Sequence, residues 1–204
     1  MKELSQYYRL AQNVKIANDK NHTLIEADDS LSLIGKGRSA YVFRIQDTDL
    51  ALKVFFPAHT HTAKIEADIY RAVQHIEYYP TLFDAGERYL VIDYIEGHTL
   101  FEHLTMGIPV TEEKVKEIDH ALNLARKVGL NPSDIHLRNI LITSDKKVKI
   151  IDLARFRQTK SCKQWHDLKR VFHLFYRRPY FPKKIPTFIL NSIAAIYKKR
   201  FLPI

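Results

Sequence analysis

Three residues with oxygen-bearing side chains bracket one short predicted hairpin in the second half of the chain. Asp134 precedes Asn139 by five residues, and Asp152 follows Asn139 by thirteen. Two strand-like runs, 140–143 and 148–151, lie between Asn139 and Asp152 and flank a polar turn, so the hairpin would gather the three side chains. One carboxylate could orient an attacking hydroxyl while the other two oxygen ligands hold Mg²⁺. Each residue alone is more often part of a turn, but the ordered set favours a catalytic site.

The rest of the chain reads as a sheet-rich half followed by a helical half. Short β-type runs occur at 31–34, 41–45, 50–55, 81–83 and 89–93. Apolar residues three and four apart predict one helix over 61–76, between the third and fourth runs. Later helices are predicted from Thr111 to Gly129, over 163–176 and over 185–199. We therefore predict an α+β fold in a single domain with a mostly antiparallel sheet.

The amino-acid composition excludes few classes of protein, but it indicates the cellular compartment and the charge of possible partners. Cys162 is the only cysteine, the first residues lack the apolar core of a signal peptide, and no apolar run reaches the roughly 18 residues of a membrane span. We expect a cytoplasmic protein. The formal net charge is +9, with much of it late in the chain, which fits either a merely soluble surface or an anionic partner: a phosphate-rich ligand, nucleic acid or acidic lipid.

Two further features suit a phosphate-binding cleft. Gly35, Lys36 and Gly37 lie between two strand-like runs, where glycines let backbone amides approach phosphates closely, although such a sequence is more often a plain hairpin turn. Lys53 ends an otherwise apolar strand, where an ammonium needs a neutralising partner. Glu66, thirteen residues on, would face the sheet beside Ile65 and Ile69 and could pair with it.

Together these residues resemble the protein-kinase-like superfamily over roughly residues 30–175. Residues 33–42 look like its glycine-rich loop with Ala40 in place of the third glycine, and 91–97 look like the hinge, with Ile92 at the gatekeeper position. The resemblance implies a two-lobed fold within a single domain, 1–204. The N-lobe, 1–93, would hold a polar N-terminal extension, a five-stranded antiparallel sheet and one helix. The hinge would be 94–97, and a reduced, mainly helical C-lobe would be 98–204.

The resemblance also implies a role for each matching position. Asp134 would be catalytic, Asn139 and Asp152 would bind Mg²⁺, and Asp167 would support the catalytic loop. ATP would be bound by the remaining matched residues: Gly35, Lys36, Gly37, Val42, Ala51, Lys53, Glu66, Asp93 and Ile95. The implied reaction moves the γ-phosphoryl group of ATP to a hydroxyl acceptor.

Departures from the usual pattern leave the acceptor open. His136 stands where protein serine/threonine kinases commonly have lysine, and only fourteen residues separate Asp152 from Asp167, too few for a long activation segment. The chain is similar to small bacterial serine/threonine kinases and to the minimal Bud32, Rio and lipopolysaccharide-core kinases. A serine/threonine protein kinase is favoured. A small-molecule or glycolipid-sugar kinase and a nucleotide-binding pseudokinase are the alternatives.

The last part of the chain permits two interpretations. Residues 185–200 combine apolar side chains with a terminal Lys-Lys-Arg, so this helix could pack in the core or rest on an acidic membrane surface. The aromatic residues of 172–181 could complete a helical lobe or stack on nucleic-acid bases. Packing within the lobe is the expectation in both cases.

Overall fold

The computed structural model describes residues 5–201, with side chains as far as Tyr197. Helices and strands alternate irregularly through residues 5–93, and a 3₁₀ turn at Pro57–His59 precedes the second helix. The elements are α1 (Gln6–Asn13), β1 (Lys15–Ile16), β2 (Leu24–Glu26), β3 (Leu31–Lys36), β4 (Ala40–Ile45), β5 (Leu50–Phe55), α2 (Thr60–Val73), β6 (Leu82–Ala85) and β7 (Tyr89–Asp93).

Five of these strands form one sheet in the order β3-β4-β5-β7-β6, with every neighbouring pair antiparallel. The five-stranded antiparallel sheet with one helix across it, predicted from the sequence, is confirmed. Along the central strand β5, Ala51 and Phe55 pack on the side of α2, whereas Leu52 and Val54 pack in a second apolar cluster on the opposite face. Because both faces are covered, β5 is apolar at every position except Lys53 and does not alternate between apolar and polar residues.

The second face is covered by residues that the sequence had suggested were only a polar extension. Ser5 caps α1 by accepting a hydrogen bond from the Tyr7 N–H at 3.2 Å, and its hydroxyl donates to Asp84 Oδ2 at 2.7 Å. Ala11 and Val14 are buried in the cluster on that face. The prediction missed α1 although the packed residues of this segment follow the i, i+3, i+4, i+7 spacing of a helix face: Tyr7, Leu10, Ala11 and Val14.

The second half of the chain is mainly helical, as predicted. Its elements are β8 (Gly97–Thr99), α3 (Leu100–Met106), α4 (Glu112–Lys127), β9 (Ile140–Thr143), β10 (Val148–Ile150), α5 (Gln164–Val171) with a π-helical continuation at Phe172–Tyr176, and α6 (Thr187–Phe201). The predicted hairpin is confirmed as β9–β10, and β8, which was not predicted, adds a third antiparallel strand to it. Over the described residues, no helix is both long and apolar enough to cross a membrane.

Local sequence explains where the helices of this lobe begin and end. Thr99 and Glu102 form a capping box at the start of α3, and the Thr111 hydroxyl caps α4. The buried face of α4 includes Ile118 and Leu122, as its periodicity predicted. Gly129 follows α4 with φ +80°, a backbone conformation that glycine adopts without a side-chain clash.

Gly97 links the two lobes at a point with no room for a side chain. A Cβ atom there would lie 2.5 Å from the Ile142 carbonyl oxygen and 2.8 Å from Thr143 Cα. We expect Gly97→Ala to lower the free energy of unfolding by about 1–3 kcal/mol, because backbone atoms of β9 would have to move. Urea denaturation will measure it. Gly35→Ala is the control, since its Cβ would lie 4.0 Å from Val42 Cβ, an ordinary van der Waals contact. Equal losses in both variants would contradict the steric explanation.

The prediction that the last helix packs in the core is wrong for most of its apolar residues. Leu190 is buried, but Phe188, Ile189, Ile193 and Ile196 are exposed. The aromatic residues of 172–181 are only partly buried. Phe172 and Tyr176 are buried in the lobe, as expected, but Phe175 and Tyr180 are exposed.

Candidate active site

A buried ion pair joins the central strand to α2. Lys53 Nζ lies 2.8 Å from both carboxylate oxygens of Glu66, and Lys53 and Glu66 are 8% and 0% exposed. The register of α2 places Glu66 with Ile69 against the sheet, whereas Ile65, expected on the same face, points outward and is exposed. The predicted pairing of Lys53 with Glu66 is thus present in the structure.

Asp152 completes this cluster from the other lobe. Its Oδ1 accepts a hydrogen bond from Lys53 Nζ at 3.1 Å, so one ammonium bridges two carboxylates that lie 86 residues apart in sequence. Asp152 has φ 59°, an uncommon conformation outside glycine that aspartate tolerates better than most residues. Leu153, next in the chain, is fully buried and fixes the segment in the core.

The charges in this cluster support one another. Burial alone would disfavour the ammonium, but Glu66 and Asp152 reverse that effect and raise the pKa of Lys53. Lys53 in turn lowers the pKa of Asp152, against the opposing effect of burial. Burial raises the pKa of Glu66, and Lys53 opposes that shift. Lys53 therefore carries its charge, and Asp152 is available as an anionic ligand, at neutral pH.

Asp134 and Asn139 are held together in the loop before β9. The Asn139 amide donates from Nδ2 to the Asp134 carbonyl oxygen at 3.1 Å, and the Ile151 N–H donates to the Asn139 carbonyl at 2.9 Å. Asp134 also has a left-handed backbone, with φ 62°. Since Nδ2 is committed to Asp134, Oδ1 is the atom through which Asn139 can ligate a cation.

Two arginines that the sequence analysis did not single out contact the Asp134 carboxylate. Arg38 Nη2 lies 2.8 Å from Asp134 Oδ2, reaching across from the turn between β3 and β4, and Arg155 Nε lies 3.4 Å from the same oxygen. The Arg38 contact joins the two lobes. Its position at the tip of the glycine-rich segment is the only hint that the sequence offers.

The glycine-rich segment is partly strand. Gly35 and Lys36 end β3, and the turn itself spans 37–39, closed by a 2.8 Å hydrogen bond from the Gly37 N–H to the Ala40 carbonyl. The Lys36 ammonium lies over the Tyr41 ring and bonds the Asn21 carbonyl, outside the Lys53 cluster. Any contact between Lys36 and phosphate would therefore involve its backbone rather than its side chain.

The residues expected around adenine lie on the neighbouring strands β4, β5 and β7. Val42 pairs with Lys53 and Ala51 pairs with Ile92 in the register of the sheet. At the hinge, Asp93 Oδ2 accepts from the Thr81 N–H at 2.6 Å. Tyr94 donates its N–H to the Asp49 carbonyl at 2.8 Å. The start of the hinge is thereby fixed to both neighbouring segments.

The Asp167 side chain bonds α6, although it was expected to support the catalytic loop. Its Oδ2 accepts from the Tyr197 hydroxyl at 2.8 Å, which joins α5 to α6 rather than to the catalytic loop. The loop is fixed instead by backbone bonds: the Phe101 N–H donates to the Leu137 carbonyl at 3.0 Å, and Asn131 donates to the Phe156 carbonyl at 2.7 Å.

The donor set suits a nucleotide with Mg²⁺. Asp152 offers a carboxylate and Asn139 an amide oxygen, which are the hard oxygen ligands that Mg²⁺ takes together with substrate phosphates. Lys53 supplies a fixed positive charge for phosphate oxygens. A separate cavity of about 410 Å³, lined by residues of α2 and the β6–β7 turn such as Lys64 and Glu87, does not include these groups. We assign the chemistry to the cleft because Lys53 bridges two carboxylates there, one from each lobe.

A two-lobed fold with a buried Lys–Glu pair, a bridging aspartate and an Asp–Asn loop defines a phosphotransferase of the kinase type. The family model described as protein kinase domain matches residues 29–181. The chain belongs to the protein kinase domain family.

Relatives span bacteria and animals. "Putative serine/threonine-protein kinase YrzF" of Bacillus subtilis (strain 168) is 46% identical over 184 residues, which cover 89% of this chain and 86% of the relative. Ribosomal protein S6 kinase alpha-2 of Mus musculus is 26% identical over 168 residues, covering 71% and 23%. Aurora kinase A-A of Xenopus laevis is 27% identical over 138 residues, covering 59% and 34%. The chain thus spans 23% of one animal protein and 34% of the other.

Proposed function

We propose that the chain transfers the γ-phosphoryl group of MgATP to a serine or threonine hydroxyl of a protein acceptor. The observation that carries this proposal is the single ammonium of Lys53, bonded to Glu66 of one lobe's helix and to Asp152 of the other lobe. The name of the Bacillus subtilis relative supports the serine/threonine class. A cytoplasmic location belongs to the same proposal, because ATP is the donor.

Each site residue has a proposed part in the reaction. Asp134 orients the attacking hydroxyl and accepts its proton as the new oxygen–phosphorus bond forms. Asn139 and Asp152 hold Mg²⁺, which neutralises phosphate charge when bound. Lys53, positioned by Glu66, stabilises the charge on the leaving diphosphate as the bond from the γ-phosphorus to its bridging oxygen breaks.

The adenosine part of the nucleotide is proposed to bind at the sheet and hinge. Val42 and Ala51 would pack on the adenine, and the backbone of Asp93 and Ile95 would hydrogen-bond its edge. Gly35, Lys36 and Gly37 would offer backbone amides to the phosphates. These roles come from the family resemblance, and their placement on β3, β4, β5 and the hinge supports them.

A small molecule or glycolipid sugar is the second candidate acceptor. The segment after Asp152 is short and folded back: Phe156 is fully buried, and Asn131 Nδ2 donates to the Gln158 carbonyl at 2.8 Å and the Lys160 carbonyl at 3.1 Å. A segment held in this way offers little surface on which to dock a peptide. A nucleotide-binding pseudokinase is disfavoured, because the lysine and all three oxygen ligands are retained.

Removal of Mg²⁺ tests the proposed reaction. Purified protein with ATP labelled at the γ-phosphate should label an acceptor in a protein panel, fall to background with EDTA, and recover with excess Mg²⁺. A metabolite and glycolipid panel is run in parallel, and labelling there alone would favour the second acceptor class. ATP binding without transfer to any acceptor, to the protein itself or to water would support a pseudokinase.

A further inference from the structure

The positive charge of the protein is concentrated in one segment. Of the 32 Lys and Arg residues, nine lie after Asp167, where there is no Asp or Glu. The other 23 basic residues are matched by the 23 acidic residues of the chain. The first 167 residues are therefore neutral overall, and residues 168–204 account for the whole net charge of +9.

Only part of this charge is neutralised by contacts within the fold. Lys169 pairs with Asp119 at 2.8 Å, and Arg177 pairs with Glu112 at 3.1 Å, both acids belonging to α4. Across the part of the chain that the structure describes, no acidic side chain pairs with Arg170, Arg178, Lys183 or Lys184. Arg170, Arg178 and Lys184 are exposed and present unneutralised cations to the solvent. Lys183 is half-buried, and its ammonium donates to the Tyr176 carbonyl and lies 4.5 Å from the centre of the Tyr176 ring.

The same segment exposes large apolar side chains. Half of the sixteen exposed large hydrophobic residues of the described chain lie within its residues 171–196. We call these eight residues the C-terminal apolar surface: Val171, Leu174, Phe175, Tyr180, Phe188, Ile189, Ile193 and Ile196. So many exposed apolar side chains in one stretch indicate an interaction surface.

The geometry of α6 separates its packed residues from its exposed ones. Leu190 is buried, and Tyr197, seven residues on, bonds Asp167 and faces the same side. Ile189, Ile193 and Ile196 follow the i, i+4, i+7 spacing, which places them in one row about a quarter turn from the packed side. Ile193 and Ile196 are 58% and 65% exposed. The row is therefore a free apolar stripe along a helix that is fixed to the lobe.

We propose that this segment docks on an anionic lipid bilayer, with the C-terminal apolar surface in the acyl–headgroup boundary and the unpaired lysines and arginines on acidic headgroups. Exposed apolar residues beside a cluster of basic residues are the combination that such membranes bind. Nucleic acid would attract the cations but offers little to isoleucines. A second copy of the chain would bring two like-charged segments together.

Docking would leave the catalytic loop on the side of α6 that faces away from the membrane, because Asn191 lies two residues from both Ile189 and Ile193 and so on the helix face opposite the apolar stripe. Arg138, one residue before Asn139, donates from Nη2 to Asn191 Oδ1 of α6 at 3.0 Å, and its guanidinium lies 3.5 Å from the centre of the Phe101 ring. The docking helix and the loop that carries Asp134 are thus in direct contact. Lipid binding itself does not depend on phosphoryl transfer, so it can be measured separately.

Vesicle flotation with the full chain tests the proposal. Binding should be at least about tenfold tighter to phosphatidylcholine vesicles with about a third phosphatidylglycerol than to phosphatidylcholine alone, and high salt should weaken it. The triple variant Ile189→Ser/Ile193→Ser/Ile196→Ser and the double variant Arg178→Gln/Lys184→Gln should each lose about tenfold or more. Matched controls in the N-lobe are Ile25→Ser, an exposed isoleucine, and Arg9→Gln/Lys20→Gln, which removes two exposed cations.

Several results would overturn the proposal. They are equal binding to neutral and anionic vesicles, binding to neither, and losses in the control variants as large as those in the α6 variants. A dimer in light scattering that the triple variant abolishes, without lipid binding, would assign the surface to a second copy. Circular dichroism and thermal unfolding of every variant confirm that a loss of binding is not a loss of fold.

Discussion

Replacing Asp134 with asparagine is expected to lower the rate of phosphoryl transfer by roughly 10²- to 10⁴-fold, because the variant cannot accept the proton of the acceptor hydroxyl. Asparagine is chosen over alanine since it keeps the side-chain size and tolerates the left-handed backbone at this position, φ 62°. Transfer from labelled ATP to the identified acceptor gives kcat and KM, and the loss should appear in kcat.

Stability should barely change in this variant. The substitution removes the charge that Arg38 and Arg155 contact, but the side chains of those arginines are 67% and 52% exposed, so the pairs contribute at most about 1 kcal/mol to the free energy of unfolding. Asp47→Asn is the matched control, because Asp47 is also left-handed, with φ 56°, and lies in an exposed turn. Wild-type rates in Asp134→Asn, or an equal loss in the control, would refute the assigned role.

Replacing Lys53 with methionine is expected to affect both activity and stability. Transfer should fall at least about 100-fold, because the charge that stabilises the phosphates is gone. The free energy of unfolding should fall by about 3 kcal/mol, since Glu66 is fully buried and would lose its cation. Urea denaturation at neutral pH measures the second effect.

The double variant Lys53→Met/Glu66→Leu separates the two effects. With both charges replaced by apolar groups of similar volume, stability should return close to that of the wild type while activity stays lost. If the double variant is as unstable as the single one, the destabilisation does not come from the unpaired carboxylate.

Acidification should reduce the deficit of the single variant. Burial raises the pKa of Glu66 above its ordinary 4.5, and in Lys53→Met no ammonium opposes that shift. The folded state then holds a proton more tightly than the unfolded state, so the penalty is full above the folded-state pKa and shrinks as the pH falls toward 4.5. The double variant should lack this dependence, and the comparison needs only denaturation curves at two pH values.

The chemistry of the cleft was the most predictable part of this protein. A lysine in an apolar strand needs a counter-charge, and the helical periodicity placed Glu66 toward the sheet, so their pairing followed from burial and spacing. The hairpin likewise brought Asp134, Asn139 and Asp152 into one region. These residues are predictable because each is a polar residue at a point where its neighbours in sequence are apolar or form a loop.

Contacts made by long or polar side chains across the fold were not predictable. Arg38 meets Asp134 over 96 residues of sequence, and nothing in its local pattern shows which way its side chain turns. The helix α1, by contrast, was predictable, because its packed residues have helical spacing that was overlooked among polar neighbours: Tyr7, Leu10, Ala11 and Val14. For α6 the apolar residues were recognised, but periodicity shows only that a helix has an apolar face and not whether the chain itself covers that face.

The tight contact at Gly97 bears on how the two lobes can move. A glycine in a hinge suggests a freely rotating link, but Gly97 pairs with Thr143 in the β8–β9 ladder and fits against the backbone there. On the other side, Tyr94 is bonded to Asp49. We therefore expect the torsion angles of Ile95 and Glu96 to absorb most of any rotation that opens the cleft, with a pivot two residues long and the glycine as a spacer.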